Sequence, residues 1–266
     1  MLVDFTIAIY NRLLNAIITN GYTFNTFEQY ISEKSSNADK KKCVVLRHDI
    51  DSRPKHALKL AIIENELGIT ASFYFRIVRQ SNQPHIIEQI VEMGHELGYH
   101  YEDLSLSKGN FEVALSTFQQ NLQYFNTYYP IKTICMHGSP TSKWDNKLMW
   151  KRSSYEDFGL IGEPYFDVDF EQVGYLTDTG RKWNATHENV RDKVSKNLKF
   201  NFRTTEDIID AFNQNIMPDT LMINVHPQRW TNNILLWSCE FVAQTMKNPI
   251  KRWLSSFNDL KDQYPK

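Results

Sequence analysis

The stretch VVLRHDIDSRP, residues 44–54, breaks off an apolar run in Arg47, His48, Asp49 and Asp51 just before Pro54. Imidazoles and carboxylates are costly to crowd together unless solvent, a metal or a substrate compensates them. The same residue types recur where other strand-like runs stop. Arg76 follows ASFYF (71–75), while His100, Glu102 and Asp103 close or follow ELGYH (96–100). His137 follows IKTICM (131–136), Glu163 ends 159–163, Asp178 ends 174–178 and His226 ends TLMINV (220–225). One carboxylate behind a strand is ordinarily a helix cap or a solvated loop residue. Recurrence at most strand ends is the signal. His56 and His85 open helices outside any such cluster and take no role, and Glu156 and Asp157 read as solvated.

The chain carries no G-x-S-x-G elbow, no phosphate loop and no G-x-G-x-x-G behind a strand, which excludes the chemistries those motifs serve. Cys43 and Cys135 lie in apolar runs and read as small core residues, so a thiol nucleophile is disfavoured. Aspartate and histidine together suit a divalent cation, zinc or another first-row ion, with a position open for water. Such an ion lowers the pKa of its water and polarises a carbonyl.

Positioning these residues requires strand ends that converge. Apolar β-type runs alternate with helical periodicity almost throughout: a helix over 6–19, the run 43–46, a helix from Leu58 to Leu67, the strand 71–75, a helix over Ile86–Met93 and the strand 96–100. The long amphipathic helix from Phe111 to Phe125 comes next, then strands at 131–136, 159–163, 174–178 and 220–225. Thr204 and Asp207 form a capping box for the helix EDIIDAF, and Leu235–Phe257 reads as helical with a break or kink at Pro249. This alternation predicts a single α/β domain over 1–266, a barrel of about seven parallel strands whose C-terminal ends share one face.

The 30 Lys+Arg against 31 Asp+Glu leave no basic face for nucleic acid, and DKKK at 39–42 reads as a solvated strand entrance. No apolar stretch is long enough to span a membrane. The N-terminus lacks a basic start and cleavage site, and three scattered cysteines show no disulfide spacing, so a cytoplasmic protein is expected. Oligomeric state is not encoded in any pattern found.

The order Asp49-Ile50-Asp51, GHELGYH (94–100) and a strand-end His226 resembles the polysaccharide deacetylase (NodB-homology) family over roughly residues 43–230, and LGITASFYF (67–75) is similar to that family's second strand. The resemblance implies a distorted (β/α) barrel and metal-dependent N-deacetylation of an acylated amino sugar or polysaccharide precursor. It implies Asp49 as catalytic base, Asp51 and His100 as ligands of a divalent metal (zinc above others), and His226 as general acid. The family's H-[ST]-x-x-H motif is broken, because HYEDL puts Leu104 where the second His belongs. A third ligand must then come from His137, the preferred candidate, or from Glu102 or Asp103. NVHP corresponds to the family's Leu-x-His with Asn224 in place of Leu, and the family's Arg/Pro motif is absent unless HGSP stands in for it. Tyr101, Arg229 and Trp230 are candidates to shape a sugar site. Two alternatives remain open: a C–N hydrolase for a small non-sugar amide, and a catalytically degenerate domain that binds a glycan or partner.

Overall fold

The architecture grows from β2, the strand containing the opening motif. The structure, a computed structural model, describes residues 3–34, 42–138, 142–183 and 200–263, with side chains as far as residue 250. In chain order the elements are α1 (Ile7–Thr19), β1 (Thr23–Asn25), α2 (Phe27–Lys34), β2 (Cys43–Ile50), α3 (Pro54–Glu66), β3 (Ser72–Phe75), α4 (Pro84–Glu92) and β4 (Glu96–Tyr101). They continue as α5 (Asp103–Leu106), α6 (Phe111–Phe125), β5 (Ile134–Met136), α7 (Pro164–Asp167), β6 (Gly174–Thr177), α8 (Thr205–Asn213), β7 (Thr220–Val225) and α9 (Ile234–Gln263). The seven strands form one parallel sheet in the order β5-β4-β3-β2-β7-β6, and β1 pairs with the first half of β2. The sheet curls as a distorted (β/α) barrel that no described strand closes between β5 and β6.

The ladder on β2 runs to Ile50 instead of stopping at Leu46, with Arg47–Ile50 paired to Ser72–Phe75. Strand alternation makes this longer course tolerable. Arg47 and Asp49 share the inner face and pair with each other, Nη2 to Oδ2 at 3.2 Å, while His48 faces outward and stacks on Phe73. The inner face carries Val45, Tyr74, Cys135, Tyr175 and Met222, joined by Val168, Phe170 and Val173 from the connection before β6. Gly98 lies beside Tyr74 in the register, and a Cβ there would sit 2.2 Å from the Tyr74 ring, so glycine is what lets this ring lie across the interior. The outer faces of the strands pack against the helices in the larger apolar core.

The N-terminal end of the barrel is shut. Phe27 is fully buried among the inner residues, its N–H donates to Ser72 Oγ at 2.7 Å, and the Glu28 N–H donates to Glu96 Oε2 at 3.0 Å. Glu96 also accepts from the Ser72 and Thr133 hydroxyls, and a carboxylate suits the positive end of α2.

Residues 159–163 do not form the expected strand. They reach the sheet only through a parallel bridge between Gly162 and Thr133, because Glu163 turns to cap α7, accepting from the Tyr165 N–H at 2.6 Å. The Thr204–Asp207 capping box forms as expected, and α9 continues through Pro249. No described helix is long and apolar enough to cross a membrane.

Candidate metal centre

At the open end of the barrel, β2, β4 and β5 each deliver one donor to a common point. Asp51 follows β2, where the backbone leaves the ladder after Ile50. His100 is on the inner face of β4, and its Nδ1 donates to the Cys135 carbonyl at 2.9 Å, which assigns a lone pair to Nε2. His137 comes directly after β5, its N–H donating to the Tyr101 carbonyl at 2.9 Å. The three donor atoms are Asp51 Oδ1, His100 Nε2 and His137 Nδ1. They are separated by 3.6 Å (Asp51 to His100), 3.1 Å (Asp51 to His137) and 3.3 Å (between the imidazoles).

These residues fit a cation on two grounds. Zinc–nitrogen and zinc–oxygen bonds of about 2.0–2.1 Å in a tetrahedron place neighbouring ligand atoms about 3.3 Å apart, the spacing seen among these donors. In addition, Asp51 Oδ1 is buried and, among the described residues, faces the two imidazole nitrogens and accepts no hydrogen bond from any other group. Oδ2 of the same carboxylate is held by Gln228 Nε2 at 3.0 Å, and the Asp51 carbonyl by Arg76 Nη1 at 3.2 Å. Burial works to raise the Asp51 carboxyl, but His137 and His100 hold it well below the usual carboxylate range.

Asp49 lies deeper and is 3% exposed. Its Oδ2 accepts from Arg47 Nη2 and from Asn224 Nδ2 at 2.9 Å, while Oδ1 is buried and accepts nothing from the described residues. Burial pushes this carboxyl up, and Arg47, with His100 and His226, outweighs that and keeps it below its ordinary value. Across the mouth, His226 is fixed by Asp178, which accepts from the His226 N–H at 3.0 Å and from its Nδ1 at 2.7 Å. Asp178 also accepts from Arg229 Nη1 and, at 2.8 Å, from Trp230 Nε1. Burial opposes ionisation of Asp178, but Arg229 and His226 hold its carboxyl below the usual range. An ionised Asp178 takes the Nδ1 proton of His226 as a hydrogen bond and leaves Nε2 for the site.

Asp49, Asp51, His100, His137 and His226 are thus brought to one end of the barrel, but five other expected site residues are not presented to it as supposed. Glu102 is clamped by Arg76 through two bonds of 2.7 Å and lies behind the His137 ring, 3.9 Å from Nε2. Asp103 is bound to Tyr99 Oη at 2.7 Å and Asn121 Nδ2 at 2.9 Å, and burial pushes its carboxyl up to about 6. Tyr101 faces outward because β4 alternates about His100. It is fully buried and accepts from Trp150 Nε1 at 2.9 Å, so it cannot shape a sugar site. Arg229 and Trp230 are also buried; they serve Asp178, with Trp230 packed between Phe5 and Tyr10. Leu104 is buried in the outer core. Ser139 and Pro140 of HGSP lie outside the described residues.

Sequence reasoning assigned no site role to Arg47, Asp178, Asn224 or Gln228. Asp178 carried a signal, its place at a strand end. Arg47 was hidden by the assumption that the strand ended before it.

No family model matches the chain, and no curated protein matches it. Solved structures resemble it in part. The Streptococcus pyogenes deacetylase PplD, in complex with acetate, is 13% identical, with a TM-score of 0.45 over 63% of this chain and 71% of that one. A CE4 family pseudoenzyme from Bacillus anthracis is 11% identical, with a TM-score of 0.45 over 80% of this chain and 63% of that one. A mutant of the peptidoglycan deacetylase PdaC from Bacillus subtilis is 12% identical, with a TM-score of 0.41 over 85% of this chain and 100% of that one.

Proposed function

We propose that the protein is a metal-dependent amide hydrolase that removes the acyl group from an acylated amino sugar. The observation that carries this reading is the meeting of Asp51, His100 and His137 at donor spacings of 3.1–3.6 Å, beside a buried carboxylate and a carboxylate-held imidazole. The order of these residues along the chain, and its resemblance to the polysaccharide deacetylase pattern, supports the choice of substrate class.

Asp51, His100 and His137 would hold the ion, which when bound supplies Lewis acidity toward water and the acyl carbonyl. Asp49 accepts the proton of the attacking water on Oδ1, the oxygen that none of the described donors occupies. Its ionised form is kept ready by Arg47 and Asn224. His226, its Nδ1–H spent on Asp178, passes a proton from Nε2 to the departing amine nitrogen, without which the amine is a poor leaving group. Arg229 and Trp230 act through Asp178 and fix the imidazole's orientation.

The test is release of acetate from a panel of N-acetylated amino sugars, nucleotide sugars and small cyclic amides. Turnover of sugars is expected to vanish after chelation and to return with zinc. Turnover confined to the non-sugar amides would transfer the reading to that class, and no turnover by zinc-loaded protein on any of them would overturn it.

A pH effect follows from Arg47. With Arg47→Met, the upward push of burial on Asp49 loses its strongest opponent, leaving only His100 and His226 against it. The acidic limb of kcat/KM is expected to move to higher pH by about 1–3 units, the size of an arginine's effect on a neighbouring aspartate. An unmoved limb would dissociate Arg47 from the base.

A further inference from the structure

The open end of the barrel contains a second group of donors, one member of which, Cys135, the hydrolase reading does not use. Asp49, His100 and Cys135 each offer one ligand atom, and these atoms lie within 4.8 Å of one another. The register explains why. His100 on β4 and Cys135 on β5 are direct partners on the inner face, and Asp49 on β2 is level with Tyr74 and Gly98, the inward-facing pair just before them. All three are buried: Asp49 is 3%, His100 2% and Cys135 0% exposed. Asp49 Oδ1 is a buried oxygen with no partner among the described residues, so a negatively charged ligand atom is present without a bond to saturate it.

We propose that Cys135 gives the centre a second, softer ion position, in which a thiophilic cation such as cadmium is bound by Asp49, His100 and Cys135. The outer group of one carboxylate and two imidazoles suits borderline ions, whereas a thiolate selects soft ones. The two groups also differ in wetness, since the side chains of Asp51 and His137 are 26% and 14% exposed. His100 belongs to both groups and offers one ligand atom, so two ions cannot fill both positions with complete donor sets at once. Binding at the inner position requires loss of the thiol proton, which passes to solvent as the sulfur–metal bond forms. The inference rests on donor positions alone and does not depend on the hydrolase reading. Where that reading also holds, a cation at the inner position occupies the carboxylate of Asp49 and stops turnover.

The experiment uses chelator-stripped full-length protein with Cys43→Ser and Cys239→Ser, which removes the other two thiols. Cadmium is added, and the thiolate-to-cadmium charge-transfer absorbance in the near ultraviolet is followed without substrate. One equivalent of cadmium is expected to develop the band. It should persist in His137→Ala and be lost in both Cys135→Ser and Cys135→Ala. Asp49→Asn leaves the thiol untouched and covers the case in which neither cysteine variant folds. It is expected to weaken cadmium binding by at least about tenfold, since even outer partners of metal ligands are worth that much. Absence of the band in the starting protein, its survival without Cys135, or unchanged affinity in Asp49→Asn would each overturn the inner position. None of these outcomes bears on acetate release by the zinc-loaded protein, so failure here is distinguishable from failure of the hydrolase reading.

Discussion

Replacing Asp49 by Asn is expected to lower kcat by about 10²–10⁴-fold, the usual worth of a positioned general base, while one zinc ion per chain stays bound. The expectation follows from how the two carboxylates divide their work. Asp51 shares its Oδ1 with the imidazoles of His100 and His137, and Asp49 does not belong to that trio. An asparagine is the same shape and can offer its oxygen to Arg47 and Asn224, the donors that now bind Oδ2. Its amide would occupy the place of Oδ1 and cannot take a proton. The substitution also leaves the guanidinium of Arg47 buried without its counter-charge, a situation that costs about 3–5 kcal/mol. The single variant should therefore melt earlier than the parent. Pairing it with Arg47→Met should recover most of the lost Tm and none of the turnover. Steady-state kinetics, metal analysis and thermal melts on the four proteins check this. Loss of zinc with Asp49→Asn, or turnover within tenfold of the parent, would remove Asp49 from the role of base.

The second large effect concerns His137. His137→Ala leaves Asp51 and His100 as a two-donor remnant, and zinc affinity should drop by more than about 100-fold, beyond the loss typical of an outer partner. Leu104 makes the test specific. In the family pattern a histidine at this position would come from the segment after β4, but here Leu104 sits in the outer apolar core, on α5. Adding Leu104→His to the His137→Ala variant is expected to restore no zinc and to lower Tm, because a buried polar ring replaces a packed aliphatic one. Equilibrium zinc competition with a chromophoric chelator measures both. Stoichiometric zinc in His137→Ala, or rescue by Leu104→His, would reassign the third donor.

The limits of sequence reading here are physical and local. Six of the seven expected strands exist because continuous apolar runs flanked by helices have few other stable arrangements. The seventh, 159–163, had an apolar start, but Glu163 followed by Pro164 makes a better helix opening than a strand end. The short β1 has too few residues to show a period. At the site, donors at strand ends were legible because strand C-termini must converge. What alternation decides was not, since it depends on where a strand truly ends. The polar text RHD reads as a loop until Arg47 and Asp49 are recognised as neutralising each other on one face. The same parity turns Tyr101 outward. Arg229 and Trp230 were chosen for type, and their partner, Asp178, lies 51 and 52 positions away in the chain, a relation that only folding reveals.

The sealed floor of the barrel, with Phe27 and Glu96 beneath the inner side chains, has a consequence for traffic. If the hydrolase reading holds, substrate and water would enter, and acid and amine would leave, at the end where the strand C-termini meet. The acyl fragment would be released beneath the larger sugar and would leave only after the sugar has moved aside. On that reading departure would be ordered by geometry, amine first and carboxylate last.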